Sequence, residues 1–296
     1  MLPVPSVNPA GSYEEALERL RALQALDDDR ILPQARTALY DHNARTPLAV
    51  LLLHGFTNHP GQYREFAPMV HARGANVLVP RMPEQGDRNR LTRRMSRLTA
   101  EQLVERASQA LDIACGFGER ICIAGISSSG LLCAYFGQYR ADVARAVSIA
   151  PVFAMLRLPY AISCLATRLM LALPDQYLWW DPRLKEKQRP PTAYPWFSTR
   201  ALAQTMRIGE DVYAQSRREA PSAMSMVLMT NAHDPAVNNE VTHRVAAAWK
   251  KHGAASVLQH DFADLPRNHD IIDPENPKAR TDIVYPRLLD VILSTP

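Results

Sequence analysis

The sequence predicts an α/β fold with a mostly parallel, doubly wound sheet, and three observations support this prediction. Short apolar runs recur along the chain, helical patterns lie between them, and this alternation stops over one long interval, 152–218. Strands of a parallel sheet are buried on both faces, so their sequences are apolar throughout. Strands that alternate with helices in this way are typical of doubly wound α/β proteins.

Six runs are predicted to be strands because they are short, apolar and bounded by turn residues. In chain order they are 48–53, 76–80, 121–125, 146–150, 226–230 and 256–260. The helices predicted around them are 13–26, 63–73, 99–115, 130–139 and 240–252. In the first helix the leucines fall on one stripe, Ser12 is suited to be the N-cap, and Glu15 stands three residues later.

The interval 152–218 is predicted to be a mainly helical cap inserted into the sheet domain. It has no strand-like run and is rich in proline and aromatic residues. A segment of this length between two strands usually covers a site. The predicted organisation is a first core part at 1–151 with the N-terminal helix, the cap at 152–218, and a second core part at 219–296. For most of the aromatic residues of the cap, taken one by one, packing into an ordinary core is an equally good interpretation.

The composition is that of a globular protein. Of 296 residues, 47% are hydrophobic and 22% are charged, and 34 basic against 30 acidic residues give a net charge of +4. This small charge does not predict a nucleic-acid partner. The arginines between 88 and 97 are interpreted as a solvated loop and helix face paired with nearby acids such as Asp87 and Glu101. The longest apolar stretch, 158–173, is too short and too interrupted to cross a bilayer.

The cysteines show neither a CxxC pair nor zinc-ligand spacing. Cys115, Cys122, Cys133 and Cys164 are interpreted as small buried residues in a reducing compartment, and no metal site and no cofactor are predicted. The first ten residues lack the basic region and apolar core of a signal peptide, which favours a cytoplasmic protein. Export before the removal of a leader, and assembly as a homodimer, stay open.

The strongest functional signal lies where the third predicted strand runs into a helix. The sequence there is Gly125-Ile-Ser127-Ser-Ser129, a G-x-S-x-S pattern. A nucleophile elbow needs a serine on a tight strand-to-helix turn with small neighbours, and Ser127 fits this requirement best. Ser128 is the alternative nucleophile, but Ile126 would then occupy the crowded position before it. A serine-rich helix N-cap is the non-catalytic interpretation.

Two later residues also follow predicted strands. Asp234 comes just after 226–230, and His269 comes in the loop after 256–260. Catalytic groups gather at the carboxyl ends of parallel strands, and an aspartate there can orient a histidine that acts as a base. The order Ser127, Asp234, His269 is the one expected of a Ser-Asp-His triad on an α/β sheet. Four other aspartates compete with Asp234 for the acid position: Asp261, Asp264, Asp270 and Asp273.

The backbone after the first predicted strand, His54-Gly55-Phe56-Thr57, is predicted to help bind an oxyanion. Fixed N–H donors stabilise the negative charge of a tetrahedral intermediate. The expected pair is the amide of Phe56 and the amide of Ser128, which follows the nucleophile. We interpret His54 as a structural residue that orients this loop.

These motifs resemble the α/β-hydrolase superfamily, and above all bacterial carboxylesterases and monoacylglycerol-lipase-like serine hydrolases with an H-G-F-T motif. The resemblance covers about 47–151 and 223–296. It implies a Ser127 nucleophile, a His269 base, an Asp234 orienter, an oxyanion hole at Phe56 and Ser128, and a cap. Ser129 departs from the usual glycine of the elbow, and Pro-Glu-Gln-Gly at 83–86 stands where a G-H-G turn is common.

The expected function is hydrolysis of a carboxylic ester through an acyl-enzyme. The cap composition favours a small-molecule ester with an acyl or aryl group as the partner. A nucleic-acid partner and an integral membrane segment are not expected. Alternatives on the same fold are an acylglycerol lipase, a thioesterase and a peptidase. A non-catalytic binding protein is the alternative from a different class.

Overall fold

The strands predicted from the apolar runs lie side by side in one central sheet. The structure, a computed structural model, describes residues 2–4, 6–155, 158–185 and 192–295. Its strands are β1 (Ala38–Tyr40), β2 (Thr46–Leu53), β3 (Asn76–Val79), β4 (Gly118–Ile126), β5 (Arg145–Ile149), β6 (Tyr177–Trp179), β7 (Trp196–Ser198), β8 (Ser225–Asn231) and β9 (Val257–Phe262). Its helices are α1 (Tyr13–Gln24), α2 (Phe66–His71), α3 (Ala100–Phe117), α4 (Ser128–Tyr139), α5 (Tyr160–Ala172), α6 (Thr199–Ser216), α7 (Asn239–Lys251) and α8 (Thr281–Leu293).

The large sheet has the strand order β1-β3-β2-β4-β5-β8-β9. Its strand pairs are parallel except for β1, which runs antiparallel to β3 at one edge. The predicted mostly parallel, doubly wound sheet is therefore confirmed. Because the central strands are parallel, the loops that follow β2, β4, β5 and β8 emerge at the same edge.

Helices cover both faces of this sheet. Within β2, Leu51 and Leu53 point to a core shared with α1, α3, α4, α6 and α7. The alternate residues Val50 and Leu52 point to a second core shared with α2 and α8. All four side chains are fully buried, which explains why the strand is apolar on both faces.

Several helices begin and end close to their predicted bounds because their signals are local. The Ser12 side chain accepts a hydrogen bond from the amide of Glu15, as the N-cap interpretation of α1 predicts. Thr99 and Gln102 form a capping box at the start of α3. The helix predicted at 63–73 is shorter, since a 3-10 turn at Pro60–Tyr63 precedes α2. Neither β1 nor α8 was predicted; β1 has only three residues, and α8 contains Pro286.

The segment between β5 and β8 contains α5, β6, β7 and α6. It is mainly helical, but β6 and β7 form an antiparallel pair that the sequence analysis did not predict. Each of these strands has only three residues, which is too short to show the alternating pattern of a strand. In the sequence, both strands therefore look like part of the aromatic cluster of this segment. Part of the predicted cap, 156–157 and 186–191 with its two prolines Pro190 and Pro191, lies outside the described residues.

The arginine-rich stretch and the cysteines have ordinary structural surroundings. Arg94 pairs with Glu84, and the Arg93 guanidinium lies 5.5 Å from the centre of the Tyr177 ring. Glu101, which we expected to pair with this stretch, pairs instead with Arg207 of α6. All four cysteines are free thiols, three of them buried and one partly exposed. Within the described ranges, no helix combines the length and apolar character that crossing a bilayer requires.

Candidate active site

Ser127 lies on a strained turn between β4 and α4. Its backbone has φ 59° and ψ −113°, a conformation that residues other than glycine rarely adopt. The amide of Ser127 donates a 2.8 Å hydrogen bond to the carbonyl of Ile149 in β5. A Cβ on Gly125 would lie 2.7 Å from the carbonyl oxygen of Ser129, so this turn requires glycine two residues before Ser127. The turn therefore lifts the Ser127 hydroxyl out of the sheet edge.

The structure brings Ser127, His269 and Asp234 together, although they are far apart in sequence. The Nε2 atom of His269 lies 2.8 Å from Oγ of Ser127, and its Nδ1 atom lies 2.7 Å from Oδ2 of Asp234. The Asp234 side chain is fully buried, and its other oxygen accepts a 2.7 Å hydrogen bond from the amide of Ala236. This arrangement can move a proton away from the serine hydroxyl.

The charge of Asp234 controls the basicity of His269. Burial on its own would lower the pKa of His269, but the nearby Asp234 carboxylate and the hydrogen bond to it raise the pKa above its ordinary value. The loop of His269 is held by Asn231 at the end of β8, whose Nδ2 atom donates to the carbonyl of Asn268 at 2.7 Å. His269 is therefore both oriented and electrostatically tuned.

The competing residues occupy other positions. Asp261 accepts hydrogen bonds from Thr230 and His243, and Asp264 is exposed. Asp270 and Asp273 contact side chains of the loop after β2 instead of Nδ1 of His269. Among the five candidate aspartates, Asp234 is the one within hydrogen-bonding distance of His269 Nδ1.

Residues 54–58 form a loop that lines the same cavity as Ser127. We call it the oxyanion loop, after the role that the sequence predicts for it. Phe56 and Ser128, whose amides we expected to bind an oxyanion, both line the cavity above Ser127. The buried His54 accepts a 3.0 Å hydrogen bond at Nε2 from the amide of Met82, so its proton is on Nδ1 and faces the Gly55 carbonyl. Burial lowers the pKa of His54 to about 3, which keeps it neutral and structural.

A cavity of about 540 Å³ opens above Ser127. Most of its wall is apolar and comes from both the sheet domain and the segment between β5 and β8. These apolar residues include Phe56, Val152, Met155, Leu158, Met170, Leu178, Trp180, Phe197, Leu202 and Val237. A smaller polar region is formed by Asn58, Gln62, Arg90, Asn268, Asp270 and Asn276. The cavity suits a mainly apolar ligand that carries a few polar groups.

Aromatic residues of the segment between β5 and β8 pack on the oxyanion loop. The ring centres of Trp180 and Phe197 each lie 6.3 Å from that of Phe56. Trp180 Nε1 also donates a 3.0 Å hydrogen bond to Oγ1 of Thr57, and the amide of Tyr194 donates to the Thr57 carbonyl. At least two of the aromatic residues that the sequence places in this segment thus contact the loop directly.

Several polar residues around the site carried no clear sequence signal. Gln62 and Asn58 contact the loop of His269, and the Ser129 hydroxyl donates to the carbonyl of His54. Asn58 and Gln62 lie within eight residues of His54, just after the His54-Gly55-Phe56-Thr57 motif. This closeness of two amide side chains to the motif is the one sequence feature that could have indicated a role for them at the site. Ser129, noted as a departure from glycine, has a hydrogen-bonding partner that no local pattern could identify.

Comparisons with known proteins agree with this fold. A model of the alpha/beta hydrolase family matches residues 50–280. One of the metagenome-derived lipolytic enzymes LipS and LipT superposes with a TM-score of 0.67 at 18% identity, over 88% of this chain and 98% of that chain. The monoacylglycerol lipase of Paleococcus ferrophilus gives a TM-score of 0.64 at 17% identity, over 86% of this chain and 97% of that chain.

A soluble variant of monoglyceride lipase from Saccharomyces cerevisiae, solved in complex with a substrate analogue, also has this fold. It superposes with a TM-score of 0.64 at 14% identity, over 88% of this chain and 92% of that chain. No curated protein sequence matches the chain. At identities this low, the structural likeness shows a common fold and leaves the chemistry to be argued from the site.

Proposed function

The chain belongs to the alpha/beta hydrolase family, and from this premise we propose that it hydrolyses carboxylic esters through an acyl-enzyme on Ser127. The observation that carries the proposal is the unbroken hydrogen-bonded series Ser127, His269, Asp234 at the floor of an apolar cavity. Each member has the neighbour its role needs: a base beside the hydroxyl and a buried carboxylate beside the base.

In the first step, Oγ of Ser127 attacks the ester carbonyl carbon while Nε2 of His269 takes the hydroxyl proton. The carbonyl oxygen becomes an oxyanion that accepts hydrogen bonds from the amides of Phe56 and Ser128. The C–O bond to the alcohol then breaks, and the alcohol leaves with the proton from His269. Asp234 stabilises the imidazolium throughout but does not take the proton.

In the second step, water attacks the acyl carbon with His269 as the base. The second oxyanion forms in the same place, the bond to Oγ breaks, and Ser127 recovers its proton from His269. The products are a carboxylic acid and an alcohol. These two reaction steps use the side chains of Ser127, His269 and Asp234 and the backbone amides of Phe56 and Ser128.

The cavity supports a substrate with an apolar acyl or aryl group. Apolar walls on both sides of Ser127 would bury that group, and the polar region near Asn58 and Asn276 can bind hydroxyl groups of an alcohol. An acylglycerol with one acyl chain has both features. The neighbours named as a monoacylglycerol lipase and a monoglyceride lipase support this second, narrower candidate.

The experiment that tests the proposal measures hydrolysis of p-nitrophenyl butyrate by the wild-type protein and by Ser127→Ala. We expect turnover by the wild type and a loss of at least about 1000-fold in the variant, with the same thermal unfolding temperature. Ser128→Ala is the matched control: it keeps the amide proposed to bind the oxyanion and should hydrolyse the ester nearly normally.

Two outcomes would contradict the proposal. Equal turnover by the wild type and Ser127→Ala would exclude Ser127 as the nucleophile. No turnover by the wild type over a chain-length series of esters and monoacylglycerols would favour a thioesterase, a peptidase or a non-catalytic binding protein; thioesters and aminoacyl anilides distinguish the first two.

A further inference from the structure

A cluster of four polar side chains lies beside the proposed triad and belongs to none of its roles. Its members are Asn58, Gln62, Asp270 and Asp273. Asn58, Gln62 and Asp273 are buried, with exposed fractions of 5%, 2% and 2%. Buried amides and carboxyls are costly unless they are hydrogen-bonded, so a cluster of this kind needs a structural or functional reason.

Gln62 connects the two loops that carry the catalytic groups. Its Oε1 atom accepts a 2.8 Å hydrogen bond from the amide of Gly55, the residue before Phe56. Its Nε2 atom donates a 2.8 Å hydrogen bond to Oδ2 of Asp270, the residue after His269. One side chain therefore spans from the residue next to the proposed oxyanion donor to the residue next to the base.

Asp270 is held in place by further contacts. Its Oδ1 atom accepts from the amide of Asp273 at 3.2 Å, and Nδ2 of Asn58 lies 3.4 Å from its Oδ2. Its backbone carbonyl accepts hydrogen bonds from the side chains of Asn268 and Asn276, at 2.6 and 3.1 Å. The carboxyl group of Asp270 thus has a fixed position, and it is close enough to His269 for the two charges to interact.

The charges around the cluster are unequal. Burial, together with the neighbouring carboxylates of Asp270 and Glu275, raises the pKa of Asp273 to about 7, so Asp273 is mainly protonated below neutral pH. Burial also raises the pKa of Asp270, but His269 and the hydrogen bond from Gln62 oppose that rise. The pKa of Asp270 stays above its ordinary value, but both of its carboxyl oxygens accept hydrogen bonds, one from Gln62 and one from the amide of Asp273, and these bonds favour its negative charge. That charge adds to the charge of Asp234 in raising the pKa of His269.

The other charged or titratable groups that face the cluster are Tyr63, Tyr285 and the ion pair of Arg64 with Glu275. The tyrosine pKa values are raised by burial, so both side chains are neutral at physiological pH. The Tyr63 hydroxyl donates to the Leu53 carbonyl and the Tyr285 hydroxyl to the Ile272 carbonyl. Neither hydroxyl competes for the Asp270 carboxylate.

We propose that Gln62 and Asp270 are positioning residues that hold the oxyanion loop and His269 in register, and that Asp270 acts on His269 through its negative charge. The inference rests on the proposed ester hydrolysis, because it concerns the same base. It assigns two different contributions: Gln62 fixes a distance between loops, and Asp270 supplies a second carboxylate to the imidazolium that forms during the reaction.

The test compares pH profiles of kcat/KM on p-nitrophenyl butyrate for the wild type, Asp270→Asn and Asp273→Asn. Asparagine at 270 keeps an oxygen for Gln62 but removes the charge, so the acid limb should move to lower pH. Asparagine at 273 resembles the protonated carboxyl already present, so the acid limb should move no lower. Because both substitutions alter the same cluster in the same way, a merely structural role predicts similar effects for the two.

The proposal is overturned if the acid limb of Asp270→Asn stays at the wild-type pH, or if Asp273→Asn shifts it downward equally. If Asp270→Asn does not fold, Gln62→Met decides the question. It keeps the side-chain length without hydrogen bonds, and we expect kcat to fall about tenfold with KM nearly unchanged; an unchanged kcat contradicts the positioning role. The wild-type profile separates the two proposals, since a wild type without turnover refutes ester hydrolysis itself.

Discussion

The hydroxyl of Ser129 donates a hydrogen bond to the backbone carbonyl oxygen of His54. Both groups are buried, at 2% and 0% exposure, so the bond joins the first turn of α4 to the oxyanion loop away from water. The glycine more usual at this position could not make this bond. The hydrogen bond therefore joins Ser129, which follows the proposed oxyanion donor Ser128, to His54, which lies two residues before the other proposed donor, Phe56.

Ser129→Ala should lower both stability and activity. It keeps the Cβ atom and leaves the buried His54 carbonyl without this partner, which costs about 1–3 kcal/mol. We expect the free energy of unfolding in urea to fall by that amount and kcat for p-nitrophenyl butyrate to fall severalfold. Ser128→Ala, one residue earlier, is the control; an equal loss in the control would show that the His54 bond is not the cause.

The pH dependence of ester hydrolysis should follow the neutral form of His269. A base must be unprotonated to accept the serine proton, and Asp234 raises the pKa of His269 above the ordinary histidine value of 6.5. We therefore expect kcat/KM to rise with pH along an acid limb whose midpoint lies above 6.5. A midpoint below that value would contradict the electrostatic contribution of Asp234.

Trp180→Ala should change substrate binding more than chemistry. Trp180 lines the cavity, contacts Phe56 and donates a hydrogen bond to Thr57, but it does not contact the triad residues in the structure described. We expect KM for p-nitrophenyl butyrate to rise about fivefold, as for loss of an apolar contact of about 1 kcal/mol, with kcat within about twofold. Trp179→Ala, which alters a neighbouring tryptophan outside the cavity wall, should leave KM unchanged.

An element of the fold or the site can be predicted from the sequence when the residues that determine it are close together in the chain. The strands of the parallel sheet and helices such as α3 are predictable because burial patterns and caps are local. Ser127, Asp234 and His269 could be proposed because each follows a strand, and a parallel sheet collects such positions at one edge. The sequence order alone thus points to residues that the structure brings within 3 Å of one another.

The parts that could not be predicted depend on contacts between distant segments. The role proposed for Gln62 depends on its hydrogen bonds to Gly55 and Asp270, and Asp270 lies 208 residues away in the sequence. The strands β6 and β7 pair with each other although they are separated in sequence by residues 180–195, and neither strand has enough residues to show a period. Single amides and three-residue strands carry too little local information, because their stability comes from tertiary partners.

The stability of the protein should depend on pH through the carboxyl group of Asp273. Its pKa is about 7 in the folded chain against 3.8 for an ordinary aspartate, because the carboxyl group is buried and faces Asp270. The folded state therefore binds this proton more tightly, so the free energy of unfolding falls as pH rises through the window from 3.8 to about 7. Asp273→Asn cannot ionise, and it retains an oxygen for the amide of Asn58.

Relative to the wild type, Asp273→Asn should thus gain stability between pH 5 and pH 8, by on the order of 2 kcal/mol. Urea unfolding at both pH values measures the difference, and comparison with the wild type cancels the contribution of His269. Asp264→Asn is the matched control because Asp264 is exposed. An equal gain in this control would show that the effect does not come from the buried position of Asp273. A gain for Asp273→Asn that is equal at the two pH values would mean that Asp273 is ionised throughout this range, and the assignment of the proton to Asp273 would be wrong.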